Sequence, residues 1–83
     1  MLRKEDFQSL NAERQLQLLF EAGNELLTRG YRYYNIKLFV LSGFFVEVWY
    51  HQKNNTVDKI LLPDTDDVIT LYENQIDINT IFR

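Results

Sequence analysis

The only histidine of the chain, His51, ends a strand-like aromatic run seven residues before Asp58. An imidazole oriented by a carboxylate is the smallest pair that can take and return a proton near neutral pH. Covalent catalysis would also need an activated nucleophile beside it. The chain has no cysteine, and nothing brings Ser9 or Ser42 near His51. The plainer reading is a partly exposed histidine at a hairpin end. Glu47 is the second candidate, because a carboxylate between Val46 and Val48 can be held neutral by apolar surroundings and act as an acid. Its plainer role is a strand residue that faces water or pairs with an arginine such as Arg29 or Arg32.

Two charged clusters complete the inventory. Asp64-Thr65-Asp66-Asp67-Val68 follows the apolar Ile60-Leu61-Leu62 and superficially matches the Asp-x-Asp start of a phosphoryl-transfer site. Such a site needs a parallel sheet with crossover helices, which this chain is too short to supply. An EF-hand also fails, since its sixth position would be Ile69 instead of Gly and its twelfth Gln75 instead of Glu. An acidic helix start explains the cluster, with a weak divalent-cation site as the alternative. Arg29-Gly30-Tyr31-Arg32-Tyr33-Tyr34, with Lys37, is the one basic and aromatic cluster. Arg29, Tyr31 and Arg32 suit contact with an anion or nucleic acid, and equally a protein contact. There is no glycine-rich phosphate loop, no metal-ligand spacing and no triad, so neither enzyme activity nor a cofactor is expected.

These groups must be positioned by a chain of 83 residues, 46% hydrophobic and 14% aromatic, which predicts one α+β domain over residues 1–83. A chain this size hides only about 60% of the surface its unfolded form exposes. Small domains without disulfides or metals often gain the rest by pairing with a copy of themselves. The lack of cysteine fits a reducing compartment. Charged residues at 3–6 stand where a signal peptide needs apolar ones, and no apolar run approaches the roughly 20 residues that span a bilayer. A cytoplasmic protein without membrane contact is expected. Residues 1–37 hold six Lys or Arg against five Asp or Glu, and residues 38–83 hold three against seven, giving +1 and −4. The acidic total of −3 argues against dedicated nucleic-acid binding and leaves room for a basic partner.

Leu16, Leu19, Phe20, Gly23, Leu26 and Leu27 recur at the spacing of one helix face, with Asn11 as N-cap and Phe7 and Leu10 on a short preceding turn. The helix ends either at Gly30 or at Gly23-Asn24, handing over to a short strand at Glu25–Arg29; the unbroken helical face favours the longer form. Tyr33–Leu41 and Phe44–His51 are dense in β-branched and aromatic residues, with Ser42-Gly43 as a tight turn. Thr56–Leu62 follows as a third strand after Asn54-Asn55, and Pro63 stops it. A helix capped by Asp64 or Thr65 comes next, buried at Val68, Leu71, Tyr72 and Gln75-Ile76. Asp77 or Asn79 starts a last turn ending in Ile81 and Phe82. The expected architecture is an N-terminal helix, a three-stranded antiparallel meander and a C-terminal helix.

Alternation along these strands separates two faces. The first holds Phe39, Leu41, Phe44, Val46, Val48 and Leu61. The second holds Tyr34, Ile36, Leu38, Val40, Phe45, Glu47, Trp49 and His51, joined by Asp58, Ile60 and Leu62, and pairs His51 with Asp58. It is too apolar for a solvated face. Its cover is the protein's own helices, a second copy or another protein.

Phe44-Phe45-Val46-Glu47-Val48-Trp49-Tyr50, then Val57-x-x-Ile60, Leu71-Tyr72 and Ile76, resembles a pattern of small bacterial proteins of unassigned function, over most of residues 23–78. The resemblance implies a stand-alone bacterial domain and carries no site residues with it. The expected function is a non-enzymatic interaction module, a homodimer or a binder of another protein, using Tyr34, Phe45, Glu47, Trp49 and His51. The alternative is an acidic inhibitor of the immunity type that captures a basic partner.

Overall fold

A computed structural model of the protein describes residues 2–75. The chain begins with α1 (Lys4–Gln8) and α2 (Ala12–Ala22). Four strands follow, β1 (Asn24–Tyr31), β2 (Tyr34–Leu41), β3 (Phe44–His51) and β4 (Val57–Leu61), and then α3 (Thr65–Leu71). The strands form one antiparallel sheet in the order β1-β2-β3-β4. The α+β class and the antiparallel meander are as expected, but the meander has four strands, not three. Ile76 and the turn expected from Asp77 or Asn79 to Ile81 and Phe82 lie outside the described residues.

The additional strand corrects the long helix. Asn11 caps α2, its side chain accepting the Arg14 N–H at 2.8 Å. The helix stops at Gly23, where the backbone turns extended (φ −81°, ψ 153°) and its N–H donates to the Leu19 carbonyl at 2.9 Å. Asn24 then pairs with Val40, Leu27 with Leu38 and Arg29 with Ile36. The leucines at 26 and 27 keep helical spacing, but pairing β1 satisfies the backbone edge that β2 would otherwise expose. The ladder slips between Glu25 and Leu27, placing a bulge at Leu26. Phe20 also departs from the expected helix face and points to solvent.

Across Ser42-Gly43 the expected register holds: Leu41 pairs with Phe44, Phe39 with Val46 and Lys37 with Val48. Both turn residues have positive φ, 49° and 83°, as a two-residue hairpin whose twist matches its strands requires. The next connection does not follow the expected pattern. His51 N–H donates to the Thr56 carbonyl at 2.8 Å, so four residues, not two, make the loop, with Asn55 at φ 55°. The β3–β4 ladder slips again, pairing Trp49 with Lys59 but Tyr50 with Val57. Leu61 therefore comes opposite Glu47 on the second face, while Ile60 and Leu62 pack with the first, an exchange of the expected places.

Each face has its own core. Phe7 and Leu19 of the helices close the first over Phe39, Leu41, Val46 and Val48. The buried Gln15 amide ties the two helices together by donating to the Phe7 carbonyl at 2.9 Å. On the second face, α3 lays Val68 and Tyr72 over Leu38, with Leu27 and Phe45 against them. Asp67 accepts the Asp64 N–H at 3.3 Å at the start of α3, and Lys4 reaches Asp64 at 3.4 Å. Of the expected buried side of α3, Val68 and Tyr72 are inside and Leu71 is half-exposed.

Candidate functional site

The second face converges on Glu47. Its position in the middle of β3 turns the side chain toward α3, and only 2% of the residue remains exposed. A lone carboxylate there would be costly, so the surrounding sequence must supply donors. Arg29 of β1 provides two, Nε to Oε2 at 3.1 Å and a terminal nitrogen to Oε1 at 3.4 Å. Trp49 Nε1 donates to Oε1 at 3.3 Å, and the Tyr72 hydroxyl donates to Oε2 at 2.7 Å. Four donors on two oxygens fill the carboxylate's acceptor capacity. Its companions are stacked as well as bonded, with the Arg29 guanidinium 5.3 Å from the Trp49 ring centre and 5.5 Å from that of Tyr72.

The electrostatics follow from this geometry. Burial pushes the Tyr72 hydroxyl well above its ordinary pKa, and its bond to Glu47 adds to that. Burial works against the charge on Arg29, but the contact with Glu47 outweighs it and raises the pKa. The arrangement keeps Arg29 charged and Tyr72 neutral over the whole physiological range. Glu47 thus has the arginine partner weighed from its sequence, and it lies buried among donors and does not face water.

Around this hub Trp49 is 7% exposed. Tyr31 and Tyr34 meet it edge-on at 5.9 and 5.2 Å, and Lys59 Nζ lies 4.1 Å above its ring. The centre of this flank is therefore covered by the chain itself, one of the three covers its apolar character left open. Of the five residues expected to make a protein contact, Glu47 and Trp49 are inside, and Tyr34, Phe45 and His51 are half-buried. Tyr34 and His51 meet edge-on at 5.9 Å, while Phe45 lies apart, under α3.

The histidine–carboxylate pair does not form. His51 Nδ1 accepts the Lys53 N–H at 3.3 Å, and Asp58 accepts the Tyr34 hydroxyl at 2.7 Å, which raises the pKa of Tyr34. The bulge at Asp58 turns that carboxylate to Tyr34. The basic cluster is also divided. Arg29 is committed to Glu47, Arg32 lies 5.5 Å from the Tyr31 ring and donates to its hydroxyl at 3.2 Å, and Lys37 covers Tyr50 at 5.4 Å on the other face. Only Tyr31 and Arg32 remain exposed of the three residues suited to an anion. Among the described residues no group of three His, Asp or Glu side chains is placed to hold a metal ion.

Lys59 and the Tyr72–Glu47 bond were not expected from sequence. Lys59 needed the bulged register to be known, and Tyr72 was legible only as a buried helix position. A shallow groove of about 430 Å³ opens beside the hub between β4 and α3, floored by Arg29, Glu47 and Trp49 and walled by Leu61, Asp67 and Leu71. No protein-family model matches the chain, and no curated protein or solved structure shows significant similarity to it. No helix among the described residues is long and apolar enough to cross a membrane.

Proposed function

We propose that the protein is a non-enzymatic interaction module that pairs with a second copy through the rim of its Trp49 face. The observation that carries this reading is the exposure around a closed centre. Tyr31 keeps 47% of its surface, Leu71 45% and Leu61 41%, all bordering the buried Trp49–Glu47 hub. Bulky apolar groups ringing one flat surface are the usual composition of a protein contact. The molecule is a slab of 36 × 36 × 18 Å, so its broad face exceeds the ~800 Å² per partner of a standard interface. Bringing two such faces together leaves no unmatched carboxylate at their centre, because Glu47 is already paired with Arg29.

Sedimentation at concentrations up to about 100 µM, the range of weak association, tests the reading. A concentration-dependent dimer is expected, weakened at least tenfold by Leu61→Ser with Leu71→Ser. A monomer at every concentration rejects it.

A further inference from the structure

We infer that the end of the sheet where Arg32, Tyr33 and Lys53 meet, with Lys59 beside it, is a contact site for single-stranded nucleic acid. The inference goes beyond the proposed pairing and does not rest on it, since neither Leu61 nor Leu71 takes part.

The fold builds this end from two distant segments. The turn between β1 and β2 lies next to the loop between β3 and β4, tied by the Gln52 N–H, which donates to the Tyr33 carbonyl at 2.8 Å. Lys53, the next residue, is held by its own N–H, which donates to His51 Nδ1 at 3.3 Å. Arg32 stands at φ 54°, a left-handed conformation that glycine or asparagine enters far more readily than arginine. A cation is thus kept at the tip of the turn against the preference of its backbone.

Charge is segregated toward this end, which the acidic total of the chain conceals. Arg32, Lys53 and Lys59 are exposed and have no carboxylate partner among the described residues, whereas Arg3, Lys4, Arg29 and Lys37 each have one. Asp58, next to Lys59 in β4, is taken up by the Tyr34 hydroxyl, which donates to it at 2.7 Å. The other exposed carboxylates among the described residues lie on or beside the helices, or at Glu25, where β1 begins at the opposite end of the sheet. A cluster of unpaired cations on an otherwise acidic molecule selects a polyanion.

The rings select its kind. Tyr33 keeps 71% of its surface beside those cations. Next in the chain, Tyr34 meets both Trp49 and His51 edge-on, and Lys59 Nζ lies 4.1 Å from the Trp49 ring centre and 5.5 Å from that of Tyr34. An acidic protein surface would engage the cations and leave Tyr33 idle. A single strand uses both, stacking a base on the open ring while its phosphates meet Arg32, Lys53 and Lys59. A duplex has no unstacked base to offer the ring.

Fluorescence anisotropy of end-labelled oligothymidylate and oligouridylate of about twelve nucleotides, within reach of a small single-strand binder, tests this. A Kd of about 10–100 µM at ~50 mM salt is expected, with log K falling against log salt at a slope of about −2, as three phosphate contacts give. Binding of either sugar type supports the site. Arg32→Asn, which suits the left-handed backbone, combined with Lys53→Ala should bring the slope to about −0.7. Tyr33→Ala should weaken binding about fivefold at an unchanged slope, because the ring carries no charge. Circular dichroism checks that these surface variants keep the parent fold. No binding of either oligonucleotide at low salt overturns the inference, as does a slope that the Arg32 and Lys53 changes leave as it was. Competition by heparin as strong as by unlabelled oligonucleotide, with no effect of Tyr33→Ala, marks a contact for any polyanion, an acidic protein included, and overturns the nucleic-acid assignment.

Discussion

The Tyr72 hydroxyl donates to Glu47 Oε2 at 2.7 Å, joining the C-cap residue of α3 to the centre of β3 across 25 positions of chain. Both groups are buried, and the Tyr72 hydroxyl is the fourth donor on a carboxylate that also takes two from Arg29 and one from Trp49. The second face is therefore organised by a polar contact set within an apolar surround.

Breaking the ion pair from one side should be severe. Glu47→Leu leaves the Arg29 guanidinium, whose side chain is 14% exposed, facing an apolar surface without its carboxylate. A loss of about 3–5 kcal/mol is expected, a large share of a small domain's stability. Combining Glu47→Leu with Arg29→Met should recover most of it, because the pair is then replaced and not broken. Urea denaturation midpoints of the two variants measure the difference.

Alkaline pH should weaken the fold through Tyr72. Its pKa is raised in the folded state from an ordinary 10.0, so its contribution is fully present below pH 10. Above that the unfolded chain releases the proton while the folded one retains it. Stability then falls with rising pH by about 1.4 kcal/mol per unit until the folded group also titrates. Tyr72→Phe should flatten that slope. Denaturation curves between pH 8 and pH 11 would show it, and an equal slope in the variant would assign the effect elsewhere.

The Ser42-Gly43 turn can be improved. Ser42 sits at φ 49°, a region asparagine enters more readily than serine. Ser42→Asn produces the Asn-Gly pair favoured in two-residue hairpins and should add about 0.5 kcal/mol. A rise in Tm of a few degrees is expected for a domain of this length.

How much was legible in the sequence depended on the range of the determining contact. β3 was delimited at both ends by its composition, and β2 lacked only its first expected residue. Asn11 and the capped start of α3 were equally local signals. β1 was not legible, because Leu26 and Leu27 satisfy a helical period and only the open edge of β2 makes them a strand. The bulge at Asp58 was hidden for the same reason, and it decided that Lys59 covers Trp49 and that His51 loses its carboxylate. Glu47 was recognisable as a candidate, and Arg29 as one of two partners. Choosing between them required knowing that β1 exists.

Gly23 has one further implication. A methyl group on its α-carbon would lie 2.8 Å from the backbone oxygen of Leu19, closer than carbon and oxygen can rest. The junction where the chain passes from helix to sheet therefore admits only hydrogen. Sequence drift can lengthen α2 at its other end or redecorate its outer side, but the point of departure toward β1 is held by the smallest residue. Arg29, six positions later, is delivered to Glu47 only while that point stays where it is.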